Sequence, residues 1–87
     1  MMRLSRRHKQ ALLKLGEGWL LKSHRYLDGT KRYQLHSPEG AVVDVQRKIV
    51  SDLVHNDLIS SNQKFPAATY LLTEKGRQTI AALNTQD

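Results

Sequence analysis

The stretch Val45-Gln46-Arg47-Lys48-Ile49-Val50-Ser51-Asp52-Leu53-Val54-His55-Asn56-Asp57-Leu58-Ile59 contains the change of period on which the fold turns. Val45, Ile49, Val50, Leu53 and Val54 recur at the intervals that line one face of an α-helix, and neither glycine nor proline interrupts them. Asp44 stands before them with a side chain suited to capping, so the spacing predicts a helix from Asp44 through about Asn56. The opposite face of that helix carries Arg47, Lys48, Ser51 and His55. After Asp57 the helical period ends. Leu58-Ile59-Ser60-Ser61 reads as a strand, Asn62 to Ala67 as a loop tip bearing Lys64 and Phe65-Pro66, and Thr69 to Leu72 as the returning strand of a hairpin.

Working outward, Thr73 is placed to cap a last helix from Glu74 to about Leu83, with Glu74 in the first turn, where the helix dipole favours an anion. Gly76 inside that helix costs about 1 kcal/mol against alanine, which calls for close packing on a neighbour as compensation. Toward the N-terminus, Leu4 to Leu15 reads as a first helix with Ser5 as its cap and glycines at 16 and 18 as its stop. Leu4, His8, Ala11, Leu12 and Leu15 share its apolar face, while Arg6, Lys9, Gln10 and Lys14 make the other face basic, with Leu13 among them. Trp19 to Tyr26 and Lys31 to Ser37 read as strands around Leu27-Asp28-Gly29-Thr30, whose Asp-Gly pair supplies the positive φ angles of a tight turn. Ser37-Pro38-Glu39-Gly40 is a further turn. The sequence thus predicts one α+β domain over residues 1–87, ordered from about 4 to 83, in the order helix, hairpin, helix, hairpin, helix. Its expected core is Leu4, Leu12, Leu15, Val45, Ile49, Leu53, Leu58, Ile59, Leu71, Ile80 and Leu83.

Eighty-seven residues allow one small core. The absence of cysteine excludes disulfides, thiolate metal sites and cysteine nucleophiles, and it fits a reducing, cytoplasmic compartment. A hydrophobic fraction of 39% and a mean hydropathy of −0.55 belong to a globular chain. The longest apolar runs, such as Trp19-Leu20-Leu21 and Ala41-Val42-Val43, are far too short to span a membrane, and Met1-Met2-Arg3 opens no signal peptide. The net charge of +6 is unevenly held. Residues 1–36 carry nine bases against two acids, whereas the remainder carries five against six, so the positive field belongs to the N-terminal half. Clustered lysine and arginine gain free energy by displacing counterions from phosphates.

No enzyme is expected. The histidines, His8, His24, His36 and His55, stand at no metal-ligand spacing, and no cofactor or metal site follows from them. His8 falls on an apolar face, which suits a hydrogen-bonded core or boundary histidine. Ser37 and Ser51 have neither a nucleophile elbow nor a glycine-rich phosphate loop around them.

The helix-then-strand stretch 45–59 resembles a winged-helix recognition helix running into its wing. Tyr70-Leu71-Leu72-Thr73-Glu74-Lys75-Gly76-Arg77 is similar to the strand-then-helix closure of bacterial winged-helix regulators such as the MarR and PadR groups. The likeness covers residues 42 to 83; before it, a hairpin stands where those regulators have a scaffold helix. Over its whole length the chain resembles the small YjhX-like family, described as candidate toxins of toxin–antitoxin pairs. That likeness rests on Leu4-Ser5-Arg6, the glycines at 16 and 18, Asp28-Gly29, Ser37 with Glu39-Gly40, Leu58-Ile59-Ser60 and Gly76.

The winged-helix resemblance implies DNA binding in transcription regulation, and the YjhX-like one a component of a toxin–antitoxin pair. It would place Arg47, Lys48, Ser51 and His55 in or beside the major groove and Lys64 on the wing, with Arg6, Lys9, Lys14, Arg25 and Arg32 as a phosphate-contacting rim. It also implies a homodimer paired through terminal helices, at which Leu13 and the last helix hint. The alternative is a protein-interaction module or mobile-element inhibitor, holding an acidic protein through the basic N-terminal face. RNA binding through Tyr26 and Tyr33 is a third reading.

Overall fold

The computed structural model describes residues 4–64 and 67–84. Its elements are α1 (Arg6–Gly16), β1 (Leu20–Arg25), β2 (Lys31–His36), β3 (Val42–Val45), α2 (Arg47–His55), β4 (Ile59–Ser61), β5 (Ala67–Leu72) and α3 (Glu74–Asn84). The fold is α+β, with a five-stranded antiparallel sheet in the order β3-β2-β1-β5-β4. Phe65 and Pro66, expected at the second hairpin's tip, and residues 85–87 lie outside the described residues.

Two tight turns build the first three strands. Tyr26 N donates to Thr30 O and Gly29 N to Tyr26 O, and Gly29 takes φ +92°. Only Gly29, not Asp28, needs a positive φ; Asp28 instead accepts from the Thr30 amide and hydroxyl. The turn after β2 repeats this arrangement, with Ser37 N donating to Ala41 O, Gly40 N to Ser37 O, and Gly40 at φ +98°. A three-residue loop closed by a left-handed glycine is a hairpin connection. It sends Val42–Val45 back along β2, pairing Leu35 with Val43 and Gln34 with Asp44. This strand corrects the sequence expectation: Asp44 accepts from Gln34 Nε2 at 3.0 Å in β3 and caps nothing. The cap of α2 is Gln46, whose side chain makes no capping bond.

The second hairpin does not stand apart. β5 pairs with β1 as well as with β4, through Leu21↔Tyr70, Lys22↔Thr69, Ser23↔Ala68 and His24↔Ala67, which merges both hairpins into one sheet. All three helices contribute to the core on one face of it, where Leu12, Leu21, Leu53 and Ile59 are essentially inaccessible. Leu20, Lys22, His24 and Leu71 lie on the uncovered face. Leu71 is 56% exposed, which corrects its assignment to the core: Tyr70 faces inward, and a strand alternates. Leu4, Val45 and Leu83 are half-buried rather than central, and Leu21, Leu35, Ala68 and Tyr70 complete the core. Leu13 is half-buried and packs against that core.

Two local devices lock the helices. His8 completes a capping box with Ser5 and reaches Asp52 Oδ2 at 2.9 Å, joining α1 to α2 as a satisfied boundary histidine. At the end of α2, Leu58 N donates to Leu53 O and Asp57 N to Val54 O, a Schellman closure whose left-handed residue is Asp57 at φ +62°. An aspartate is strained there while glycine is not. Asp57→Gly is therefore expected to stabilise the fold by about 0.5 to 1 kcal/mol and Asp57→Ala to weaken it, as read from urea midpoints.

Candidate nucleic-acid interface

Arg25 ends β1 and Lys31 begins β2 directly opposite it, because the tight turn at Gly29 returns the chain in that register. Arg32 is the next residue along β2 and projects to the other face. Beyond β2, the edge strand β3 delivers the chain to Gln46 and so sets Arg47, the first residue of α2, beside this end of the hairpin. The result is a cleft of about 230 Å³ lined by Lys31, Arg32, Tyr33, Asp44, Val45 and Arg47. Its neighbour, of about 270 Å³, shares Lys31 and adds Arg25 and Lys64 around Ser23, Ser61 and Gln63. A third hollow, of about 210 Å³, shares Asp44 and Val45 with the first and carries Arg7 and Lys14 on its α1 side.

Among the described residues, none of Arg7, Arg25, Lys31, Arg32, Arg47 and Lys64 makes an ion pair; the salt bridges are His8–Asp52, Lys48–Asp52 at 3.7 Å and Arg77–Glu74 at 3.9 Å. Weak local contacts position some of these cations. Lys31 Nζ lies 5.3 Å from the centre of the Tyr33 ring, Lys14 Nζ 4.5 Å from that of Trp19, and Arg25 donates to Gly29 O at 3.3 Å. Among the described residues, Asp44 is the single carboxylate in the three hollows. The first turn of α2 holds no acidic residue and no side-chain cap, so its positive dipole end adds to the field.

Of the residues singled out from the sequence, Arg25, Arg32, Arg47 and Lys64 come together in the two clefts that meet at Lys31, and Lys14 lines the third. Ser51 and His55 follow Arg47 along the exposed face of α2, one and two turns on. Arg6 and Lys9 remain on the outer face of α1 and line none of the three hollows. Lys48 is drawn to Asp52. Arg7 joins Lys14 in the third hollow without having been expected; Lys31 stands two residues after Gly29, and only the pairing register reveals its partner Arg25. Tyr26 packs edge-on with His24 at 4.6 Å, whereas Tyr33 turns inward toward Tyr70, so the two tyrosines form no common stacking platform.

The hydrogen bond from His8, aided by the charge of Lys48 and opposed by partial desolvation, holds the Asp52 carboxyl below its ordinary value of 3.8. A lowered folded value stabilises the protein above 3.8, and that stabilisation drains away as pH falls through the lowered value. Asp52→Asn should therefore be less stable than the native chain at neutral pH, with the gap closing below pH 3.8; thermal melts across the acid range measure it.

Among the described residues no group of three or more histidines, aspartates and glutamates is placed to hold a metal ion, and no helix is long and apolar enough to cross a membrane. Scans against protein-family models, curated proteins and solved structures return no match to this chain.

Proposed function

We propose that this chain is a small winged-helix-like protein that binds DNA, in the role of a regulator or of a toxin–antitoxin component. The observation that carries the reading is the convergence of Arg25, Lys31, Arg32, Arg47 and Lys64 on two adjoining clefts with no ion-pair partner among the described residues. Unpaired cations side by side repel one another, and a polyanion relieves that repulsion while releasing its own counterions. In this reading α2 presents Arg47, Ser51 and His55 to base edges or phosphates, and the β1–β2 hairpin supplies backbone contacts beside it. Lys14 and Arg7 extend the contact along α1.

The test is fluorescence anisotropy of a mixed-sequence duplex over a range of salt concentrations. Binding should weaken steeply with salt, and Arg32→Ala with Arg47→Ala should flatten the log K slope by about two, since each phosphate contact contributes about one. Absence of binding at low salt overturns the DNA reading.

A protein partner is the second reading, favoured by the uncovered sheet face. There Val42 pairs with His36 and His36 with Leu20, and Leu20, Val42 and Leu71 are each close to half exposed. An apolar row beside Lys22 and Arg32 suits an acidic protein surface with an apolar centre.

A further inference from the structure

Arg25 and Lys31 are cross-strand neighbours at the open end of the β1–β2 hairpin. Like charges directly opposite each other destabilise a sheet, so this pair is a cost that the free fold carries. Lys64 joins them from the β4–β5 loop, which places three cations and, among the described residues, no carboxylate around one cleft of about 270 Å³. Side-chain hydrogen bonds hold the described part of this loop, Asn62 to Lys64. Asn62 Oδ1 accepts from the Lys64 amide at 3.2 Å and from the Thr69 amide at 3.1 Å, and Ser61 Oγ accepts from the Gln63 amide at 2.9 Å. Gln63 takes a left-handed φ of +57°, and its residue lines the cleft with Ser61. Because Ser61 Oγ is used as an acceptor, its hydroxyl proton is still available to a ligand.

Ser23 adds a second hydroxyl-bearing residue to the lining of the same cleft. It sits in the middle of β1 between Tyr33 and Ala68 and is only 2% exposed. Two hydroxyls, an amide and three cations, with no carboxylate among the described residues, form a donor set for a small, highly charged oxyanion. A phosphodiester within a strand carries one negative charge. A phosphomonoester carries up to two, with three strong acceptor oxygens, and matches the donors more fully.

We propose that this cleft binds a phosphomonoester, presented by the phosphorylated end of a DNA strand, and that Ser23, Arg25, Lys31 and Lys64 are its principal ligands. The inference rests on the DNA-binding reading and sharpens it: the protein prefers a phosphorylated end to the interior of a duplex.

The experiment compares two internally labelled duplexes, alike except for a 5′-phosphate or a 5′-hydroxyl, by anisotropy at fixed ionic strength. The phosphorylated duplex should bind about tenfold more tightly, as one added set of charge-assisted hydrogen bonds implies. Lys31→Ala and the nearly isosteric Ser23→Ala should each reduce that preference. Arg6→Ala with Lys9→Ala should leave it intact. Equal binding of both duplexes overturns the inference while the DNA reading stands; binding of neither overturns both. Unlabelled deoxyadenosine 5′-monophosphate serves as competitor. If it displaces the duplex as effectively as unlabelled phosphorylated duplex does, the ligand is a free nucleotide and the assignment to strand ends is overturned.

Discussion

Gly76→Ala should melt at least about 12 °C below the native protein, a loss of about 3 kcal/mol or more. Helix propensity alone points the other way, because alanine is favoured over glycine within a helix by about 1 kcal/mol. Packing reverses the sign. A Cβ on Gly76 would overlap the Leu58 carbonyl oxygen and would lie 3.2 Å from Leu72 Cδ2. That carbonyl is not free to move, since it accepts the Thr73 amide at 3.1 Å, while Thr73 Oγ1 accepts the Gly76 amide at 3.0 Å. The start of α3, the strand entering the sheet from α2 and the end of β5 are thus tied at one point. Any shift that admits a methyl group breaks the cap as well. Thermal and urea denaturation measure the effect, and an unchanged or raised melting temperature would sink the close-packing account.

Leu53→Ala should cost about 2 to 5 kcal/mol, a large share of what a domain of this size possesses. Leu53 is wholly buried, and its carbonyl also accepts the Leu58 amide that closes α2. The cavity left by its side chain would open where α2 meets the sheet. Leu71→Ala provides the contrast. Although both leucines belong to the apolar pattern of the sequence, Leu71 is 56% exposed and its truncation should change stability by less than about 0.5 kcal/mol. Urea midpoints of the two variants, measured side by side, decide between the core seen in the sheet and one read from hydrophobicity alone.

Local chemistry explains what was legible in the chain. The Ser5 and Thr73 caps, the glycine turns at 29 and 40, and the apolar stripe of Ile49, Val50 and Leu53 each depend on residues a few positions apart or on a single backbone requirement. Such signals survive without a partner, and they determined three helices, the first two strands, the second hairpin and the α+β class. The strand Val42–Val45 was not legible, because Asp44 is as good a helix cap as it is a strand residue and only pairing with Gln34 selects the strand. The union of the hairpins was hidden for the same reason. β1 and β5 lie more than forty residues apart, and their register depends on which faces the helices cover.

The candidate site divides along the same line. The sequence by itself determined that the N-terminal half is basic and that Arg47 lies on the wet face of a helix. Only the tertiary structure decided that Lys31 stands opposite Arg25, that Lys64 reaches the same cleft from a distant loop, and that Ser23 is buried beneath them. Composition measures how much charge a chain carries. Where that charge converges depends on strand register and on backbone contacts between distant segments, which come into being only when the core closes.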